Sequence, residues 1–169
     1  MNKKDVKIKK LHEEAIVPKY QTEGSAGFDL HALVVEDRED TYNYPPFVPG
    51  IDDHIKEPFI KLYKGQQFVV KTGLAVKIPE GFELQIRPRS GLAAKHSVTI
   101  TNSPGTLDSD YLGEIMVILY NAGESTFIVE HDDRIAQAVL APVMQANFIE
   151  VDDLGTTERG TGGLGSTGS

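Results

Sequence analysis

Apolar residues recur at every second position through the middle of the chain. Phe68-Val69-Val70 leads to Leu74, Val76 and Ile78. After Pro79-Glu80-Gly81, Phe82, Leu84 and Ile86 alternate with Glu83, Gln85 and Arg87. Period two marks a strand with one buried face, and the short polar turn between the two runs predicts a β-hairpin. Ile115, Val117 and Leu119 predict another strand, as do Phe127-Ile128-Val129 and the apolar run from Ile135 to Val143. One segment departs from this period. Ser90-Gly91-Leu92-Ala93-Ala94-Lys95-His96 predicts a helix of about two turns with Ser90 as its N-cap. Sixteen glycines and nine prolines punctuate the strands, which points to an all-β barrel or sandwich with one short helix.

Two stretches fall outside the pattern. From Glu36 to about Ile60 a charge run, Glu36-Asp37-Arg38-Glu39-Asp40, precedes Tyr42, Tyr44, Pro45, Pro46 and Phe47. This predicts an irregular excursion between two strands. It is either a surface loop packed on itself or a partner-binding surface, since exposed aromatics suit recognition. Residues 159–169, Arg-Gly-Thr-Gly-Gly-Leu-Gly-Ser-Thr-Gly-Ser, bury too little to offset the entropy of ordering them. They do carry bare backbone N–H groups, small hydroxyls and one guanidinium, which is what a clamp on a polyphosphate needs.

Composition narrows the classes. At 169 residues one domain is expected. There are no cysteines, which removes disulfides and thiol catalysis and fits a reducing compartment. The N-terminal residues show no apolar signal core, and no run is long enough to span a membrane. A net charge of −8 argues against a nucleic-acid or membrane partner, so positive charge for a polyanionic ligand must be local.

Several clusters carry candidate chemistry. Arg89, Ser90 and Gly91 open the short helix, where N–H groups favour an anion. Asn102-Ser103-Pro104-Gly105-Thr106-Leu107-Asp108 reads as a tight turn within a hairpin, followed by a carboxylate beside an apolar flank. A partly desolvated Asp108 could serve as a general base toward water, and Tyr111 could offer its ring to a sugar or base. Gln137 interrupts an apolar strand and needs hydrogen-bond partners. Asp29 lies between Phe28 and Leu30 and needs either an arginine partner or a hydrated metal. The five histidines show no ligand spacing, so a zinc site is not expected.

Taken together, Ala26–Ala32, Pro88–Ala93, Asn102–Ile115, Asp133–Leu140 and Arg159–Gly168 resemble, in order, the five motifs of the homotrimeric dUTPase family (deoxyuridine 5′-triphosphate nucleotidohydrolases). The resemblance implies a jelly-roll fold over residues 1–158 and a homotrimer with swapped C-terminal tails. It also implies cytoplasmic hydrolysis of dUTP to dUMP and pyrophosphate, with Mg²⁺ on the triphosphate. Such an activity keeps uracil out of DNA and supplies dUMP for dTMP synthesis. Carried over, Asp108 resembles the residue that activates the attacking water. Tyr111 resembles the one that packs on deoxyribose, and Asn102 with Gly105 and Thr106 the uracil reader. Arg89, Ser90, Gly91 and Gln137 resemble phosphate or water contacts. In the tail, Arg159, Gly163, Leu164, Gly165, Ser166 and Thr167 resemble a clamp that closes over a neighbouring subunit's site, with Arg159 stabilising charge on the leaving group. Asp29 is then structural, or touches a water bound to Mg²⁺, with no direct protein ligand to the metal expected.

The sequence departs from that pattern in two places. Leu164 stands where an aromatic or histidine usually stacks on uracil, so closure should be weaker. The excursion at 36 to about 60 exceeds the minimal pattern and offers a surface for a protein partner. Competing readings are a dCTP deaminase or bifunctional deaminase–dUTPase, which needs a Glu poised at the pyrimidine ring, and a nucleotide-dependent regulatory binding protein on the same fold.

Overall fold

The computed structural model describes residues 3–35 and 58–163. Among these, the chain forms ten strands and one helix: β1 (Lys7–Lys10), β2 (Phe28–His31), β3 (Phe59–Leu62), β4 (Gln67–Lys77), β5 (Phe82–Arg87), α1 (Ser90–His96), β6 (Val98–Ile100), β7 (Gly105–Leu107), β8 (Glu114–Asn121), β9 (Phe127–Glu130) and β10 (Arg134–Pro142). Two four-stranded antiparallel sheets, in the orders β1-β4-β8-β6 and β2-β10-β5-β7, are joined by a two-stranded β3-β9 pair. Val70, Leu74, Val117 and Leu119 of the first sheet share one core with Leu30, Leu84, Ile86 and Ala138 of the second. The architecture is therefore an all-β jelly-roll sandwich, not a closed barrel.

The strands predicted from period two are present, but their pairing differs. β4 and β5 do not form a hairpin: β4 pairs with β1 and β8, and β5 with β10 and β7. The 78–81 turn instead carries the chain from one sheet to the other. Alternation specifies which face of a strand is buried, not which strand lies beside it, and a core-crossing turn leaves the same trace as a hairpin turn. The turn around Pro104-Gly105 behaves likewise, because β6 pairs with β8 and β7 with β5.

Other boundaries also moved. The helix has the expected length, but Arg89, extended at φ −88° and ψ 129°, is its N-cap, and no side chain caps it. Ser90 is instead the first helical residue. The expected excursion to Ile60 ends earlier, because Phe59 and Ile60 are buried in β3. Residues 36–57 lie outside the described residues. β1 escaped detection because its four residues, Lys-Ile-Lys-Lys, are all exposed; lysines on an edge strand discourage further pairing. Among the described residues, no helix is long and apolar enough to cross a membrane.

β4 contains an irregularity with consequences for the principal cleft. Its pairing with β8 breaks between Lys71 and Ala75, where Gly73 adopts φ +69°. A Cβ there would lie 2.7 Å from both Ala15 Cβ and Leu33 Cδ2. The displaced backbone makes new bonds. Gly73 N–H donates to Glu114 Oε1 at 2.7 Å, and its carbonyl accepts Leu11 N–H at 2.7 Å. Gly73→Ala combines left-handed backbone strain with overpacking and should cost roughly 2–4 kcal/mol. Chemical denaturation reads this out; a loss below about 0.5 kcal/mol would contradict it.

Candidate functional site

The loop that leaves β6 in one sheet and enters β7 in the other builds the principal cleft. Ser103 N–H returns to Ile100 O at 3.3 Å, and the Ser103–Pro104 peptide is cis. Asn102, Gly105, Thr106, Asp108 and Tyr111 line a cleft of ≈ 320 Å³, a volume suited to a small ligand. Ile86, Ile100 and Val117 supply apolar wall, and Glu114 borders it.

Local alternation places the polar groups. Leu107 packs against the core, so Asp108, one position on, is exposed. The desolvation expected of Asp108 is therefore missing in the single chain: its apolar flank turns inward and leaves the carboxylate at the mouth. Asp108 O accepts Tyr111 N–H at 3.1 Å, which tightens the turn. Tyr111 is 39% exposed, and its Oη donates to the Glu114 carbonyl at 2.9 Å.

A second, shallower cleft of ≈ 500 Å³ lies on the other side of the same loop. Ser103 and Pro104 line it together with Arg87, Ser90 and Gln137. Gln137 Nε2 donates to Pro88 O at 2.8 Å and ties β10 to the turn that starts α1. This is a structural bond, and it leaves the amide at the cleft edge. Ser90 and Gly91 are exposed in the first turn of α1.

Arg89 is anchored. Its Nε donates to Asp29 Oδ1 at 2.9 Å and its Nη1 to Arg134 O at 3.0 Å. The second Asp29 oxygen accepts Arg134 Nη1 at 3.3 Å. Of the two partners open to Asp29, the structure supplies arginine, twice. The carboxylate is only 14% exposed, so pairing offsets its desolvation.

Arg159 is not brought to either cleft. It is exposed, with its Nε bonded to Gly162 O at 3.0 Å, and neither it nor Gly163 lines the two clefts. Leu164, Gly165, Ser166 and Thr167 lie outside the described residues. Between β10 and Arg159 runs an arm whose apolar side chains have no cover: Met144 is 95% exposed, Phe148 93% and Leu154 95%.

The sequence reading assigned no role to Gly113 or Glu114, and it did not foresee that Arg134 pairs with Asp29. Arg134 carried a signal, as a cation entering an apolar strand in a chain with a lone semi-buried acid. Glu114 carried none, because its partner is the backbone of an unforeseen bulge. It borders the cleft, and its carboxylate is tied to Gly73 N–H.

A family model described as dUTPase matches residues 55–168. The deoxyuridine 5′-triphosphate nucleotidohydrolase of Nautilia profundicola is 50% identical over 96% of this chain and 98% of its own length. Among solved structures, the Staphylococcus bacteriophage 80alpha dUTPase with dUpNHpp superposes with a TM-score of 0.74 at 22% identity, covering 99% of this chain and 100% of that one. A variant of the phage phi11 dUTPase from S. aureus, described with a structural Mg(II) ion, gives 0.69 at 20% identity over 89% of this chain and 99% of that one.

Replacing Asp29 by Asn keeps the shape of the Arg89–Arg134 link and removes its charge. The expected loss is about 1–2 kcal/mol, discounted for the half-exposed Arg134. Thermal melts in rising NaCl should show the gap to the parent protein narrowing as salt screens the pair. A gap that ignores salt would mean the carboxylate acts by shape alone.

Proposed function

This chain belongs to the dUTPase family, and we propose that it hydrolyses dUTP to dUMP and pyrophosphate. The observation that carries this is the convergence of Asn102, Gly105, Thr106, Asp108 and Tyr111 on one cleft. An amide beside exposed backbone suits the donor and acceptor edge of uracil. A close-fitting wall rejects thymine by its methyl, and mismatched polar atoms reject cytosine. Tyr111 takes the deoxyribose. Asp108, at the mouth, orients a water and accepts its proton as the oxygen attacks the α-phosphorus. The bond to the bridging oxygen breaks, and pyrophosphate leaves.

Arg89, Ser90, Gly91 and Gln137 flank the phosphates. Arg159, with Gly163 and residues 164–167, closes over the β- and γ-phosphates and stabilises charge on the leaving group. Mg²⁺ fits the substrate better than a protein cage. Asp29 spends both oxygens on arginines, and among the described residues no group of three or more His, Asp or Glu is placed to hold a metal. Bound to the triphosphate, Mg²⁺ supplies charge neutralisation. The reaction, placed in the cytoplasm, keeps uracil out of DNA and supplies dUMP for dTMP synthesis, without a nucleic-acid or membrane partner.

The clamp comes from a second copy of the chain in a homotrimer. Two observations support this: Arg159 lies away from its own clefts, and the arm before it exposes Met144, Phe148 and Leu154. The stretch from Pro142 to Arg159 can reach roughly 55 Å when extended, enough to span a subunit.

Pyrophosphate release with Mg²⁺ from dUTP, dTTP, dCTP and UTP tests the reaction. It should be fast for dUTP alone and fall at least about 1000-fold in Asp108→Asn, within the range expected for loss of a general base. Release from all four nucleotides would remove the base-reading role of the cleft. The shared site has its own test. Asp108→Asn chains and chains truncated after Glu158 should each be inactive. After co-refolding they should regain a sizeable fraction of activity, because mixed trimers pair an intact Asp108 with an intact tail. Mixtures that stay silent would place the tail on its own subunit's site.

A further inference from the structure

Gly113 needs no side chain for a reason that its backbone does not supply. Its φ lies outside the left-handed region, so alanine could adopt the same conformation. What excludes a side chain is Tyr111. A Cβ built on Gly113 would lie 2.6 Å from Tyr111 Cζ and 2.9 Å from Cε2, with Oη nearer still. Non-bonded carbons pack at about 3.5–4.0 Å, so the ring would have to move by about 1 Å.

The ring has little freedom to do so harmlessly. The Tyr111 backbone is fastened to Asp108 O, and Oη is fastened to Glu114 O at 2.9 Å. The ring is thus folded back along its own chain, over Gly113, with its exposed part bordering the cleft that holds Asn102 and Asp108. Its position is set by two hydrogen bonds and by one missing methyl group.

We infer that Gly113 is a positioning residue for sugar discrimination: its bare Cα lets the Tyr111 ring lie where it leaves no room for a ribose 2′-hydroxyl. This rests on the assignment of deoxyribose to Tyr111. A ring displaced by about 1 Å opens space for the extra oxygen and loosens the fit to the deoxy sugar, and misplacements of that size are costly to turnover.

The experiment measures kcat/KM for dUTP and UTP in the parent protein, Gly113→Ala, Tyr111→Ala and the double variant, with a thermal melt of each. Gly113→Ala should lower the dUTP:UTP ratio at least tenfold, with a raised KM for dUTP. A merely structural lesion would lower both substrates together and leave the ratio unchanged. In the Tyr111→Ala background, adding Gly113→Ala should change neither ratio nor melting, because no ring remains to be displaced.

A ratio within twofold of the parent in Gly113→Ala, alongside a collapsed ratio in Tyr111→Ala, overturns the inference and leaves the role of Tyr111 standing. A parent-like ratio in Tyr111→Ala removes that role and the inference with it. If Gly113→Ala alone fails to fold, the double variant decides. Folding of the double variant supports the ring contact, and its failure overturns it.

Discussion

A strand that bulges must find new partners for the backbone groups it displaces, and the bulge at Gly73 finds them on both sides of β4. Its carbonyl takes the N–H of Leu11, at the end of the edge strand β1. Its N–H takes the carboxylate of Glu114, at the start of β8. The Glu114 backbone in turn holds the Tyr111 hydroxyl. A single left-handed residue inside the first sheet is thereby connected, bond by bond, to Tyr111 at the cleft. No bulky residue could sit at the origin of this chain, since Ala15 and Leu33 close the space above it. Bulges often lie beside functional sites because they re-aim neighbouring side chains; here the re-aimed group is the start of the strand that carries the cleft wall.

The second organising device is the crossing of the chain between sheets. Both the 78–81 turn and the 101–104 loop leave one sheet and enter the other. The loop that does so second has a cleft on either side, one bordered by Asn102 and Asp108 and the other by Ser90 and Gln137. The two clefts are thus separated by only a few residues of backbone. Beside the second cleft, the Asp29 carboxylate holds Arg89 and Arg134 together. The Arg89 guanidinium is therefore ordered by the protein itself.

Much of this was legible in the chain, and for separable reasons. Val70, Leu84, Val117 and Ala138 reveal themselves by alternation, since a half-buried strand must show it. Asn102, Asp108 and Tyr111 stand out as polar groups clustered about a Pro-Gly turn. Strand partners were not legible, because Ile78 and Phe82 look the same whether the turn between them closes a hairpin or spans the core. Nor was the exposure of Asp108, which depends on the side to which Leu107 points. β1 hid because Lys7, Lys9 and Lys10 carry no apolar signal. Gly113 looked like an ordinary loop glycine, since its constraint comes from a ring two residues away. Arg159 was legible as a candidate cation but not as geometry, because its guanidinium bonds to Gly162 and does not line either cleft.

The arm after Pro142 also bears on how the protein is made. Met144, Phe148 and Leu154 are as bare as the residues of an unfolded chain, and apolar segments of this kind favour association with whatever they meet first. They come after the body in the chain. On a ribosome the strands that build the core emerge before the arm, so the adhesive stretch is the later of the two to be exposed. Had the same residues preceded β1, they would have been exposed throughout synthesis. The order of segments shortens the time for which the sticky surface has nowhere proper to go.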